Sequence, residues 1–200
     1  MKKIPILILL CLLGNLAQSQ NTYLNTYHAQ PDFYLHSDGG LLKCKNGDQI
    51  ITNTYEDTIG SQNRDILIAT RIDSSGNIVW NAALEEQYYY PGKIFEDLEG
   101  NIYVFGTNKL KSNLVKISAT GQVVWSKHYG TMSTFYNAVM LDTGDFVAIG
   151  GVLNKNGWKN DIYMVKLNQD GEILWEKSTN FEDGGYAETI INTEDGGMII

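Results

Sequence analysis

The sequence predicts an all-β fold of repeated four-stranded antiparallel units, on three observations. A pentapeptide with glycine first and tryptophan last occurs three times: Gly76-Asn77-Ile78-Val79-Trp80, Gly121-Gln122-Val123-Val124-Trp125 and Gly171-Glu172-Ile173-Leu174-Trp175, spaced by 45 and 50 residues. A second turn glycine alternates with it, at Gly47, Gly100, Gly144 and Gly196, each followed by a polar residue or glycine and an apolar run. No stretch carries the 3.6-residue periodicity of a helix. Self-similarity at this interval marks a repeat architecture. Four short strands in a unit of this length describe a β-propeller blade.

The chain of 200 residues opens with Met1-Lys2-Lys3, a nearly unbroken apolar run from Ile4 to Leu13, and then Gly14-Asn15-Leu16-Ala17-Gln18-Ser19. A basic start, an apolar stretch of about ten residues and a small-x-small site make a secretory signal peptide, 1–19, with cleavage after about Ser19. The apolar run is shorter than the roughly 20 residues that span a bilayer, so no membrane insertion is expected after cleavage. Leu10 stands before Cys11 where a lipoprotein signal needs a small residue.

Cleavage removes Lys2 and Lys3 and no acid, leaving 13 basic and 23 acidic side chains, a formal charge of −10 against −8 for the whole chain. Nucleic acids and anionic membrane surfaces call for clustered Lys and Arg, so an acidic balance argues against both. Cys44 alone remains, which leaves no partner for an intramolecular disulfide.

Residues 20–37 form a polar lead-in with one expected strand near Phe33-Tyr34-Leu35. Asn46-Gly47, Glu99-Gly100, Thr143-Gly144 and Asp195-Gly196 then start one set of hairpins, in which glycine would supply the positive φ of primed turns. Asp73 to Gly76, Ser118 to Gly121 and Asn168 to Gly171 turn the other set, rich in residues that bond their own backbone. The units fall at about 38–87, 88–132 and 133–181, with a partial fourth at 182–200. Ile66–Ala69, Ile102–Phe105 and Phe146–Ile149 are continuous apolar runs, as strands covered on both faces require.

The link between the two hairpins varies most: Thr52 to Arg64, Thr107 to Ser112 and Val152 to Asn160. Variable loops on a fixed scaffold are where specificity resides. About three and a half blades make an incomplete ring, and propellers close with four to eight. The expectation is therefore that residues 1–200 are the N-terminal part of a longer protein.

Val165-Lys166-Leu167-Asn168-Gln169-Asp170-Gly171-Glu172-Ile173-Leu174-Trp175 resembles the blades of secreted Bacteroidetes propeller-like repeat proteins. It is also similar to the tryptophan-docking motif of pyrroloquinoline-quinone-type propellers, in which Gly and Trp stand four apart. Ile72, Ile117 and Leu167 occupy positions where the quinoprotein motif carries Asp, so the resemblance is to blade architecture. Sialidase-type Asp boxes, with Trp three residues after Gly, fit less well. The Bacteroidetes resemblance implies a signal peptide, a propeller and often a C-terminal sorting domain for type IX secretion.

Trp80, Trp125 and Trp175 are expected to bury their indoles between blades with a backbone partner for each N–H. Trp158, outside the repeat in the loop Asn154 to Asn160, is a candidate ligand contact, since an exposed aromatic can stack a sugar or anchor a partner. Tyr88-Tyr89-Tyr90-Pro91 reads as core filling where one blade meets the next. His28, His36 and His128 lack metal-ligand spacing, and the acidic turns lack the alternating oxygen ligands of a calcium loop. No catalytic, cofactor-binding or metal residue is assigned, and no cofactor is expected.

These readings point to a secreted or outer-membrane-surface propeller that binds an unknown protein or glycan through its blade loops, without catalysis in this segment. The alternative is a propeller enzyme, a quinoprotein-like dehydrogenase or a glycan-processing propeller, with its active site in blades beyond Ile200. A third reading is an assembly scaffold at the outer membrane.

Overall fold

The computed structural model describes residues 35–36, 40–59, 62–84, 89–108, 111–153, 160–179 and 183–200. The expected signal peptide, Phe33, Tyr34 and Trp158 lie outside these residues. The described chain is all β. Blade one contains β1 (Leu35–His36), β2 (Leu41–Lys43), β3 (Gln49–Ile59), β4 (Gln62–Ile72) and β5 (Ile78–Leu84). Here β1 and β2 share the inner edge of β3 as one interrupted strand.

Blade two is β6 (Tyr89–Glu96), β7 (Ile102–Asn108), β8 (Lys111–Ile117) and β9 (Val123–Tyr129). Blade three is β10 (Ser133–Met140), β11 (Phe146–Leu153), β12 (Asn160–Leu167) and β13 (Ile173–Ser178). A two-stranded pair, β14 (Ile191–Asn192) and β15 (Met198–Ile199), follows. Strands pair antiparallel with their sequence neighbours, and the propeller-like arc they form is not a closed ring.

The core sits between blades. Ile50, Leu67 and Ala69 of blade one meet Ile94, Ile102, Val104 and Val115 of blade two. Tyr103, Phe105 and Leu114 then meet Phe135, Phe146 and Tyr163 of blade three, with the rings of Tyr103 and Phe146 4.8 Å apart. β7 and β11 are buried almost throughout because each is covered on both faces. This is the arrangement their unbroken apolar runs require.

One turn geometry serves both hairpin sets. In Cys44–Asp48, Asp73–Asn77, Asp97–Asn101, Ser118–Gln122, Leu141–Asp145, Asn168–Glu172 and Thr193–Gly197, the first N–H donates to the fifth carbonyl. The fourth residue, glycine, donates to the first carbonyl. Gly47, Gly76, Gly100, Gly121, Gly144, Gly171 and Gly196 have φ between 70° and 93°, while Met132 is the one described non-glycine residue with positive φ. These are three-residue loops, a type I turn closed by a glycine bulge, and not the primed turns expected from Asn-Gly and Asp-Gly. A primed I′ turn needs positive φ at two successive residues. Each loop here has it at glycine alone.

The long first link is also corrected. Thr52 to Arg64 is mostly ladder: β3 and β4 pair from Gln49↔Ile72 to Ile59↔Gln62. Its polar residues suggested a loop, yet Thr52 and Thr54 are buried on the face toward blade two. Threonine fits a pleated, half-buried surface well enough to carry the hairpin onward. The other links shorten likewise, since Thr107 pairs with Ser112 and Val152 with Asp161.

Candidate functional site

The repeated tryptophans join blades at the rim, where they are half-buried and not enclosed. The Trp80 indole N–H donates to the carbonyl of Ala119 at 3.0 Å. Its ring lies against Gly121, where a Cβ would stand 2.7 Å from Cγ of the indole. Trp125 repeats the docking on Gly171, where a Cβ would stand 2.9 Å from its Cη2. There the Tyr129 hydroxyl donates to the Gly171 carbonyl at 2.9 Å. Glycine at these two turns thus meets a positive φ and a close ring approach together. Trp175 packs beside Val147, Ile149, Ala187 and Ile190, with the Lys177 ammonium 5.6 Å from its ring centre.

The remaining turn glycines have other surroundings. Nothing stands within 4 Å of a Cβ built at Gly47 or Gly196, whereas Gly100 faces Ala119 and Gly144 faces the Gln169 side chain. Gly76 is buried. Thus the structure gathers Trp80 with Gly121, and Trp125 with Gly171, and sets Gly100 against Ala119, the residue whose carbonyl Trp80 bonds.

A cleft of about 480 Å³ opens where the five-residue turns of blades one and two meet. Arg71, near the end of β4, donates through Nε to Asp48 Oδ2 at 2.7 Å and holds Nη2 3.7 Å from Glu96 Oε1 across the joint. The Lys45 N–H donates to Glu96 Oε2 at 2.7 Å, and Lys45 Nζ donates to the Asp97 carbonyl at 3.4 Å. Arg71 and Glu96 have only 9% and 7% of their side chains exposed. A charge so buried requires its partner. Asp97 accepts from the N–H groups of Glu99 and Asn101 and from Asn101 Nδ2, which shapes the turn at the cleft's lip.

The electrostatics follow from this packing. Asn46 first, then Arg71, hold the Asp48 carboxyl below its ordinary range by hydrogen bonding. Burial first, and then the Glu96 carboxylate, push the Cys44 thiol up to about 11. A thiol in that state is not a nucleophile near neutral pH. Two cations, Lys45 and Arg71, face four carboxylates, Asp48, Glu96, Asp97 and Glu99, for a net formal charge of −2. Among the described residues, no three His, Cys, Asp or Glu side chains are placed to hold a metal ion.

The sister blades show what is particular about this joint. Counting from the turns, Lys116 and Lys166 stand where Arg71 does, Lys43 and Met140 where Glu96 does, and Lys45 and Asp142 where Leu98 does. At the next joint Lys116 lies over the Tyr103 ring, 5.2 Å from its centre, and Met140 packs with the aromatic core. Leu98 is 93% exposed at a turn tip where its counterparts are charged. The cation at Arg71 is common to all three blades, and in blade three Lys166 pairs with Asp145 at 2.9 Å as Arg71 does with Asp48. The repeat is broken at Glu96 and Leu98, which converge on one cleft.

No family model matches the chain, and no curated protein matches it in sequence. Its structure is similar to the crystal structure of a protein of unknown function from Bacteroides caccae, with a TM-score of 0.52 and 15% identity. That match covers 82% of this chain and 56% of the other, so the chain spans little more than half of that structure. The likeness is one of fold. A second similarity, to streptogramin B lyase, has a TM-score of 0.37 at 12% identity, covering 84% of this chain and 86% of the lyase.

The expected binding loops face the other way. The strand ends that bound them, Ile59 and Gln62, Asn108 and Lys111, and Leu153 and Asn160, lie at the blade ends opposite the five-residue turns. Trp158 belongs to one of these loops, outside the described residues. Sequence reading passed over Arg71, Glu96 and Leu98 because each is ordinary alone. Aligning the three units column by column carries the signal that marks Glu96 and Leu98.

Proposed function

We propose that this chain is a secreted or cell-surface binding module whose partner seats on the turn face, at the joint of blades one and two. The observation that carries this is the combined departure of Glu96 and Leu98 from the repeat, with Glu96 set beside the buried Arg71, around a single cleft. Scaffold positions repeat because every joint has the same packing to satisfy, so a joint that breaks the pattern with buried charge serves something other than packing. Conserving a blade while varying its turns is how such folds acquire partners.

Residues 1–19 would export the chain, and the Bacteroidetes resemblance extends the proposal to type IX cargo displayed on the outer membrane. Mass spectrometry of the exported protein should find an N-terminus at Gln20. Binding is tested by screening purified protein against glycan and peptide arrays while following the same ligands for chemical change. Saturable retention without conversion is the expected result. Product formation, or a quinone-type absorbance in the purified protein, would replace the binding module with the propeller enzyme.

A further inference from the structure

We infer that the turn-face cleft receives a cationic side chain, Lys or Arg, flanked by an aliphatic residue on an extended segment of a partner protein. This rests on the binding reading above and gives it a ligand class. The cleft carries a net formal charge of −2 in walls that hold Glu96 almost out of water. A field of one sign in a low-dielectric recess favours the opposite charge and repels its own. Acidic segments and phosphorylated ligands are thereby disfavoured.

The lips supply the second half of the recognition. Leu98 on the blade-two turn is 93% exposed and Val79 on β5 is 53% exposed, and both line the cleft. Glu99 sits beside Leu98 on the same lip, exposed, with Oε2 accepting only a long bond of 3.3 Å from Asn101 Nδ2. Long basic side chains lay an aliphatic stem on apolar surface and keep the charged head among polar groups. Leu98 and Val79 suit the stem, and Glu99, the exposed carboxylate of the lip, suits the head. A sugar ring would call for a flat aromatic platform, and the cleft walls are aliphatic at Val79, Leu98 and Ala119. The chemistry therefore selects a protein segment over a glycan.

The test uses an array of hexapeptides that differ at one central position, Lys, Arg, Gln or Glu, next to Leu. Wild-type protein is compared with Leu98→Ser and Glu99→Gln, two exposed substitutions whose melting curves should match wild type. Lys and Arg peptides should be retained at least tenfold above Glu peptides. That margin should shrink at least fivefold in either variant and also with added salt. Equal retention of Glu peptides, or a preference untouched by both variants, overturns the inference and leaves the binding module standing on another surface. Retention of glycans alone does the same. Absence of retention on peptide and glycan arrays alike removes both readings.

Discussion

Trp80 donates its indole N–H to the carbonyl of Ala119, 39 residues further along the chain, and so ties the outer strand of blade one to a turn of blade two. The indole covers Gly121 in the same contact. Gly121→Ala should therefore suffer twice, from left-handed strain and from displacing the ring. A loss of about 2–4 kcal/mol is expected by chemical denaturation. Gly47→Ala, with the same sign of φ and open space around it, should lose about 1–2 kcal/mol. Equal losses at the two positions would detach Trp80 from the role given to it.

Trp80→Phe keeps most of the apolar contact and removes the bond to Ala119. The expected loss is about 1 kcal/mol. Trp80→Ala should lose roughly 2–3 kcal/mol, below the values for fully enclosed tryptophans because the rim leaves the ring half in water. Thermal unfolding monitored at a tyrosine-dominated wavelength would separate the two variants.

The Cys44 thiol, at about 11, has roughly one thiolate per thousand molecules at pH 8. In protein beginning at Gln20, a disulfide reagent should leave Cys44 unmodified for as long as the fold persists and label it stoichiometrically in denaturant. Fast labelling of native protein would contradict its burial beside Glu96.

Acid should weaken the fold in a defined window. The carboxyls of Asp48 and Asp145 are held below their ordinary 3.8, the first by Asn46 and Arg71 and the second by a hydrogen bond from Lys166. A depressed folded-state value means that the unfolded chain takes up protons first as pH falls. The contribution is fully present above 3.8 and drains away as pH drops through the lower folded values. Melting temperature should be insensitive to these groups between about pH 5 and 8 and decline below about pH 4. Asp145→Asn should flatten part of that decline.

The architecture was readable because the turns are written in glycine, a residue whose conformational freedom leaves few alternatives at Gly76, Gly121 and Gly171. Tryptophan spacing supplied the period, and the unbroken run Ile102–Phe105 signalled a strand covered on both faces. The first link was misread because polar residues such as Asn53 resemble loop composition, while the pairing that keeps them in a ladder is set by the strand opposite. The cleft was hidden for a different reason. Arg71, Glu96 and Leu98 span two blades, and only folding puts them on one wall. None has an unusual neighbour in sequence, so the meaning of Glu96 and Leu98 lies in what their counterparts became.

Docking that reaches forward along the chain imposes an order in time. When blade one has emerged from a ribosome or an export channel, its indole has nothing to cover until Ala119 and Gly121 follow. At about 5–20 residues per second, 39 residues take roughly 2–8 s. During that interval the Trp80 ring is uncovered, and Trp125 waits likewise for Gly171. The rims of blades one and two are therefore finished only by the blade that follows each of them.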